Sequence, residues 1–281
     1  MTTTRRSLIR TAGALTAVGL FNLPVLRPAL GATLPEIKKR GYMVVATEDD
    51  FRPFEFVDNG NPTGYDTELL KLLAKSAPFK VQQERIPWNG ILAGVTTGKY
   101  DAAVSAVLMT KERLGFLDFC SPVAEATDYY LKRKNDNNIN AIKDLSGKIC
   151  GVEQGSAMLA KLPQLEAMLQ KTGGKMGKVV QYVSYPEAYQ DLAIGRIDYV
   201  VNTLINLRTM VREHPTQFAV GQPVSSTTYI AWAVKKGNKG VLDFIDAFLM
   251  KERKNGQMYA LQEKWLGQSF KNMPVNWTPT D

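Results

Sequence analysis

Residues 42–75 read YMVVATEDDFRPFEFVDNGNPTGYDTELLKLLAK, and this stretch decides the fold. The β-rich run Tyr42–Thr47 follows Gly41 and predicts a strand. The segment Asp66–Lys75 opens with Asp, a residue type that caps helices, and its apolar residues recur every three or four positions. This pattern predicts a helix. The loop between them is rich in acidic and aromatic residues, so it marks a place where a strand ends beside polar groups.

Strand and helix patterns alternate along the rest of this half of the chain. Further strands are predicted at Phe79–Ile86 and Asp101–Val107, with a helix at Asn89–Thr97 that Gly98 ends. This βαβαβ order requires helical crossovers and predicts a parallel sheet.

The same pattern restarts after Ile142, with strands at 148–152, 179–183 and 196–201 and helices at 156–161 and 185–193. Pro163 is expected to interrupt or restart the first of these helices. The strand Tyr229–Val234 and the helices between Gly240 and Trp265 form no third copy. Two similar halves and a tail predict two α/β lobes, with the tail returning to one of them.

The first 32 residues have the layout of an export signal, because they contain four arginines and no acid. An apolar run, Thr11–Phe21, is too short to span a bilayer, and small residues follow near a cleavage position at Gly31 or Ala32. Thr4–Arg10 is similar to the twin-arginine signal, although a general secretory signal with a chance arginine pair remains open. Residues 1–32 are therefore predicted to be a signal peptide of the twin-arginine type, and the mature protein to be periplasmic.

The chain carries 35 basic and 27 acidic residues, which gives a net charge of +8. Removal of the four signal arginines leaves 31 basic and 27 acidic residues, a net charge of +4. No basic cluster with interleaved aromatic residues is present, and the short run Lys132–Lys134 fits a solvated edge, which excludes nucleic acid as a partner. One histidine, His214, excludes a Ser/His/Asp triad. With only two cysteines, Cys120 and Cys150, no zinc site of the usual spacing forms, so we predict neither metal nor cofactor.

The two cysteines would enter an oxidising compartment after export. A disulfide between Cys120 and Cys150 and a pair of buried thiols both remain open from the sequence, because their separation in space is unknown.

Ligands of open α/β sheets bind at the carboxyl ends of the strands, where loops and helix N-termini meet in a crevice. Polar and aromatic residues follow the predicted strands at these positions, and we expect them to face one another across a cleft. They are Glu48, Asp49, Asp50, Phe51, Trp88, the run 105–110 with Ser105, Ala106 and Leu108, Arg113, Glu153, Gln154, Gly155, Ser156, Ala157, Asn202 and Thr203.

The run ATEDDFRPFEF at 46–56, followed by GYD at 64–66, resembles the opening signature of the polar amino-acid solute-binding proteins of ABC importers, bacterial extracellular solute-binding protein family 3. Members read T-x-x-x-F-x-P-F-E-F and then G-[FY]-D. Further matches follow in order along nearly all of the mature chain: WNG (88–90), GKYD (98–101), TKER (110–113), DFCSP (118–122), DLSGK (144–148), GVEQGS (151–156), GRID (195–198) and EKWLG (263–267).

The resemblance implies a type II periplasmic binding protein fold with two lobes, each a mostly parallel sheet flanked by helices. Lobe 1 would comprise residues 33–128 plus 223–281 and lobe 2 residues 129–222, joined by hinge strands near Asp128–Leu131 and Val220–Val224. It also implies a monomer that closes on a small solute and delivers it to a membrane permease.

The resemblance assigns roles to individual residues. Arg113 lies at the position that clamps the ligand's carboxylate, because a guanidinium fork matches a carboxylate. Ser156 and Ala157 begin a helix whose N–H groups can bind the same carboxylate. Phe51 and Trp88 match aromatic positions that wall the pocket.

The sequence departs from the family where an Asp usually pairs with the α-ammonium: Thr203 stands there, after Asn202, and Leu108 replaces a usual Ser or Thr. Glu48 and Glu153 face the cleft instead, and either can hold an ammonium, since an unpaired buried cation is costly. We expect an amino acid bound through a shifted ammonium site; a carboxylate whose nitrogen is absent or substituted, such as an opine-like compound, is the alternative.

Two other functions are compatible with the same fold. A periplasmic enzyme resembling the cyclohexadienyl dehydratases needs a tuned general acid, for which Glu153 is the candidate. A soluble ligand sensor is the other, although such sensors are usually fused to membrane helices. We predict a binding protein with no catalytic residues.

Overall fold

The fold is taken from a computed structural model, which describes residues 31–279. Residues 1–30 of the predicted signal peptide therefore lie outside the described residues. Between residues 31 and 279, no helix combines the length and the hydropathy that crossing a membrane requires.

The first sheet has six strands built around a parallel core. Strand β1 pairs in parallel with β5 and β6, and β14 adds antiparallel to β6, β7 and β8. The strands are β1 (Tyr42–Thr47), β5 (Lys80–Arg85), β6 (Ala102–Leu108), β7 (Leu117–Phe119), β8 (Ala124–Ala126) and β14 (Thr228–Lys235). The helices packed with it are α1 (Leu34–Arg40), α2 (Tyr65–Ser76), α3 (Trp88–Thr97), α7 (Lys239–Lys254) and α8 (Gln257–Leu266).

The second sheet repeats this plan with five strands in the order β11-β10-β12-β9-β13. Its strands are β9 (Asp128–Arg133), β10 (Cys150–Glu153), β11 (Val179–Tyr182), β12 (Tyr199–Thr203) and β13 (Phe218–Pro223). Its helices are α4 (Ala157–Gln170), α5 (Tyr185–Ala193) and α6 (Leu204–Glu213). A small third sheet joins β2 (Asp50–Phe51), β3 (Glu55–Asp58) and β4 (Asn61–Thr63).

The predicted two-part α/β fold is confirmed, with mixed sheets in place of mostly parallel ones. In each sheet the predicted βαβαβ unit supplies three parallel strands, and the strands added beside them run antiparallel. The chain leaves the first sheet after Ala126 and re-enters it at Thr228. The lobe boundaries and the hinge strands stay predictions.

The structure corrects one sequence expectation, at Pro163, and decides one that was open, at the two cysteines. Pro163 does not interrupt its helix, since α4 continues past it to Gln170. Leu165 and Leu169 beyond the proline are buried, so packing of this face stabilises the continued helix. Cys120 and Cys150 are free, buried thiols, one following β7 in the first sheet and the other beginning β10 in the second. Of the two open readings, the pair of buried thiols is therefore the one observed.

Asp66 ties helix α2 to the first sheet. Its Oδ1 accepts a hydrogen bond from the indole N–H of Trp232 on β14 at 2.8 Å, and its Oδ2 accepts one from the backbone N–H of Ala106 on β6 at 2.9 Å. All three residues are buried, so the bonds form away from competing water. The first turn of α2 is thereby fixed against the strand end that the candidate site uses.

The turn into α2 depends on Gly64, and we expect Gly64→Ala to be among the most destabilising single-methyl additions. Gly64 has φ +113°, and an added Cβ would lie 2.4 Å from the backbone oxygen of Phe54. Gly60→Ala is the matched control, because Gly60 also has a positive φ (+77°) with open space around it. We expect a loss of about 1–2 kcal/mol of unfolding free energy at Gly60 and about 3 kcal/mol or more at Gly64, measured by urea denaturation. Equal losses would contradict the steric argument.

Candidate functional site

A closed cavity of about 10 Å³ lies between the two sheets, at the carboxyl ends of their parallel strands, and we call it the Arg113 pocket. This volume holds about one water molecule. Ten of the residues predicted from the sequence to face the cleft line it, together with Met158, which was not predicted. The lining residues are Glu48, Phe51, Trp88, Ser105, Ala106, Leu108, Arg113, Glu153, Ser156, Ala157 and Met158.

Arg113 lies just beyond β6 and is only 6% exposed. Its backbone N–H donates to the Thr110 hydroxyl at 3.2 Å, which fixes the turn. Its Nη1 donates to the Leu108 carbonyl at 2.9 Å, and its Nη2 donates to the Gly155 carbonyl at 3.3 Å. Burial lowers the pKa of Arg113 to about 10, partly offset by Glu112 and Glu153, so the side chain is still cationic at neutral pH.

The Gly155 carbonyl joins the two sides of the cleft. It accepts hydrogen bonds from Arg113 and, at 3.0 Å, from the indole N–H of Trp88, both of which belong to the first sheet's side. The guanidinium carbon of Arg113 lies 5.0 Å from the centre of the Trp88 ring, within cation–π range. The cleft is therefore closed, and the Gly155 carbonyl links its two sides through one N–H of Arg113 and the indole N–H of Trp88.

The second sheet contributes the end of β10 and the start of α4. Ser156 is the N-cap of α4, and its hydroxyl accepts a hydrogen bond from the Leu159 N–H at 3.1 Å. Ala157 is the first residue of the helix and lines the pocket beside Ser156. The positive end of the helix dipole thus lies at the pocket, where it favours an anionic group.

Two buried carboxyl groups line the pocket with Arg113, one from each sheet. Glu48, 4% exposed, follows β1, and Glu153, 2% exposed, ends β10. Oε1 of Glu153 is buried without a hydrogen-bond partner. Burial, and then repulsion by Glu48 and Asp50, raises the pKa of Glu153 well above its ordinary value despite the opposing effect of Arg113.

A third carboxyl, Glu55, extends this network behind the pocket. The Ser105 hydroxyl lies 2.7 Å from Oε1 of Glu55 and 3.2 Å from Oε2 of Glu48, and it also accepts the Glu48 backbone N–H at 3.1 Å. Desolvation, followed by repulsion from neighbouring carboxyl groups, raises the pKa of both Glu48 and Glu55, and the bonds to Ser105 oppose that rise.

The pocket wall at Ala106 has an unusual backbone conformation. Ala106 has φ +44°, which residues other than glycine seldom adopt, and its N–H is held by the Asp66 carboxylate. Burial raises the pKa of Asp66 to about 6, while its bonds from Trp232, Ala106 and Glu55 oppose that rise. A buried carboxylate therefore maintains the shape of the wall that the ligand would meet.

Asn202 and Thr203, predicted as ligand contacts, do not line the Arg113 pocket. Thr203 is the N-cap of α6, and the Thr203 hydroxyl also donates to the side-chain oxygen of Asn206. The sequence pattern did not predict this helix. The Asn202 amide donates to the Tyr189 hydroxyl at 2.9 Å, and Asn202 lines a larger neighbouring cavity. Within residues 31–279, no group of three or more His, Cys, Asp or Glu residues is arranged to hold a metal ion.

The family model of the bacterial extracellular solute-binding proteins, family 3, matches residues 43–268. The L-cystine-binding protein TcyJ of Escherichia coli K12 is 29% identical over 236 residues, covering 83% of this chain and 86% of the relative. An ancestral arginine-binding protein, solved with arginine, is 32% identical, with a TM-score of 0.72 and coverage of 80% and 98%.

A second solved neighbour is an ancestral amino acid-binding protein described as a precursor of cyclohexadienyl dehydratase, with 30% identity, a TM-score of 0.74 and coverage of 84% and 100%. The family match spans most of the chain. The chain belongs to the bacterial extracellular solute-binding proteins, family 3, and it has the two-lobed fold of the periplasmic binding proteins.

We expect the ligand-free protein to be more compact at low pH. Closure buries Glu153 and raises its pKa, so protonation of this side chain favours the closed form. The stabilisation of the closed form is complete below the ordinary pKa of 4.5, and it is lost as the pH rises from there towards the raised pKa of the closed form. The radius of gyration from small-angle X-ray scattering should be smaller at pH 5 than at pH 8. Glu153→Gln, which is always neutral, should remove most of the difference, whereas the exposed Glu125→Gln should not. An unchanged pH dependence in Glu153→Gln would contradict this account.

Proposed function

We propose that this family member is the extracytoplasmic solute-binding component of an ABC importer, and that its solute is an amino acid or a closely related small carboxylate. One observation carries the proposal: a buried guanidinium lies in a closed pocket between the two sheets, beside buried carboxyl groups that it does not neutralise. Such a pocket matches a ligand with both an anionic and a cationic end.

The ligand's carboxylate would bind Arg113. In the closed, empty pocket the Nη2 group donates to the neutral carbonyl of Gly155 at a long 3.3 Å. A carboxylate offers the guanidinium a bidentate, charge-assisted pair of hydrogen bonds, which is stronger than a bond to a neutral carbonyl. The N-terminus of α4 at Ser156 and Ala157 would add backbone donors on the opposite side.

The ligand's ammonium would bind the carboxyl side of the pocket. Glu153 has an unpaired buried oxygen and Glu48 lies across the pocket, whereas Thr203 offers a hydroxyl that already caps a helix. An ammonium would let Glu153 ionise without the cost of an isolated buried charge. The relatives described by name as binding cystine and arginine support an amino acid over an opine-like compound.

Capture would proceed by closure of the cleft. The open form would take up the solute on the Arg113 side, and the second sheet would then complete the pocket with Glu153, Ser156 and Ala157. The bending would occur where the chain passes between the sheets, near residues 127 and 224–227. The closed form would be the one that a membrane permease recognises, and we propose a periplasmic monomer that needs no cofactor.

Arg113→Ala should reduce the affinity for the amino acid ligand by about a hundredfold or more, because it leaves a buried carboxylate unpaired. The ligand would first be chosen by a thermal-shift screen of amino acids, amines, opines and small organic acids, since binding raises the melting temperature. Isothermal titration calorimetry would then compare wild type, Arg113→Ala and the matched control Lys111→Ala, an exposed residue on the same turn. Affinity retained in Arg113→Ala would contradict the assignment of this site.

An enzyme of the dehydratase type is the second candidate, because the raised pKa of Glu153 gives the pocket a carboxyl that stays protonated at neutral pH, as a general acid requires. One solved neighbour is described as an amino acid-binding precursor of cyclohexadienyl dehydratase, which relates the fold to such an enzyme. We expect no product when the protein is incubated with prephenate or arogenate. Product formation that is lost in Glu153→Gln would establish the enzyme and overturn the binding proposal.

A further inference from the structure

A second, larger cavity lies between the two sheets next to the Arg113 pocket, and we call it the side cavity. Its volume is about 450 Å³, against about 10 Å³ for the Arg113 pocket, and it falls within the range of small-molecule sites. The first sheet's side contributes Asp49, Asp50 and Phe51, and the second sheet's side contributes α5, α6 and the start of β13. Phe51 lines both cavities and is their shared wall.

One wall of the side cavity is a continuous row of aromatic rings. The Phe51 and Tyr185 ring centres are 5.7 Å apart, those of Tyr185 and Tyr189 are 5.8 Å apart, and those of Tyr189 and Phe218 are 6.5 Å apart. All four residues are buried and line the cavity. Aromatic faces attract cations, and most strongly where water is excluded.

The charged groups of the side cavity are mostly acidic. Asp49, Asp50 and Glu213 line it, against the single fixed cation Arg52. Arg52 is already engaged, since it lies over the Phe56 ring at 3.9 Å and 3.6 Å from the Glu213 carboxylate. Within the described part of the chain, neither Asp49 nor Asp50 has a basic side chain within ion-pair distance.

Asp50 has the best placement to bind a ligand. It is half-buried on β2 and lines the side cavity together with Phe51, the first ring of the aromatic row. Burial, followed by repulsion from Asp49, raises its pKa, as expected for a carboxylate that lacks a counterion. A cation in the cavity would supply that counterion.

We propose that the side cavity is a binding site for a small organic cation, an ammonium or guanidinium compound, held by Asp50 and the aromatic row and separate from the Arg113 pocket. Because the site is built from both sheets, a bound cation would contact both lobes at once and favour their closed arrangement. The proposal does not depend on the identity of the solute at Arg113, since it uses neither that guanidinium nor the end of β10.

The test is calorimetric titration with benzylamine, which has an aromatic ring and an ammonium but no carboxylate, and with benzyl alcohol, its neutral counterpart. We expect saturable one-to-one binding of benzylamine, at least tenfold weaker binding of benzyl alcohol, and at least a tenfold loss of benzylamine affinity in Asp50→Asn. Arg113→Ala should bind benzylamine within twofold of wild type, although it loses the amino acid.

A second variant keeps the test independent of the fold around Asp50. Ala193 is exposed at the end of α5 and lines the cavity, so Ala193→Trp fills the cavity from its rim without removing a contact. We expect Ala193→Trp to abolish benzylamine binding. The proposal is overturned by the absence of saturable binding, by equal binding of benzyl alcohol, by binding that Asp50→Asn and Ala193→Trp leave unchanged, or by binding that only Arg113→Ala removes.

Discussion

The Arg113 pocket contains one buried guanidinium and more carboxyl groups than that guanidinium can neutralise. The ligand that the pocket can bind depends on this excess of carboxyl groups. Arg113 faces Glu48 and Glu153, and Glu55 lies behind them through Ser105. Burial of these carboxyl groups raises their pKa and favours their protonated forms. A ligand that brings one negative and one positive group would satisfy both sides of the pocket, so the charge pattern selects for a zwitterion.

The fold supports this arrangement through β6 and its neighbours. Ser105 and Ala106 lie on the strand whose end leads to Arg113, and Asp66 at the start of α2 holds the unusual backbone of Ala106. Trp232 on β14 anchors Asp66 from the other side. A change in this buried set would therefore alter the pocket without touching the ligand, because the wall lies on β6 and Arg113 follows the end of that strand.

Much of this site was predictable because the sequence pattern indicates where the strands end. The β-rich run before Glu48 places this residue at a strand end without a structure, the third predicted strand carries Ser105, and the family motif adds Arg113. The N-cap role of Thr203 was not predicted, because the sequence pattern did not reveal helix α6. The role of Glu55 and the side cavity depend on packing between distant segments, which no local pattern encodes.

The most direct test of the charge account is a crystal structure of the protein with its amino acid ligand. We predict that the ligand's carboxylate replaces the Gly155 carbonyl on the Arg113 guanidinium at hydrogen-bond distance, and that its ammonium nitrogen lies at the same distance from a carboxyl oxygen of Glu153 or Glu48. A ligand whose ammonium instead lies on Asn202 or Thr203, or whose carboxylate lies away from Arg113, would contradict the account.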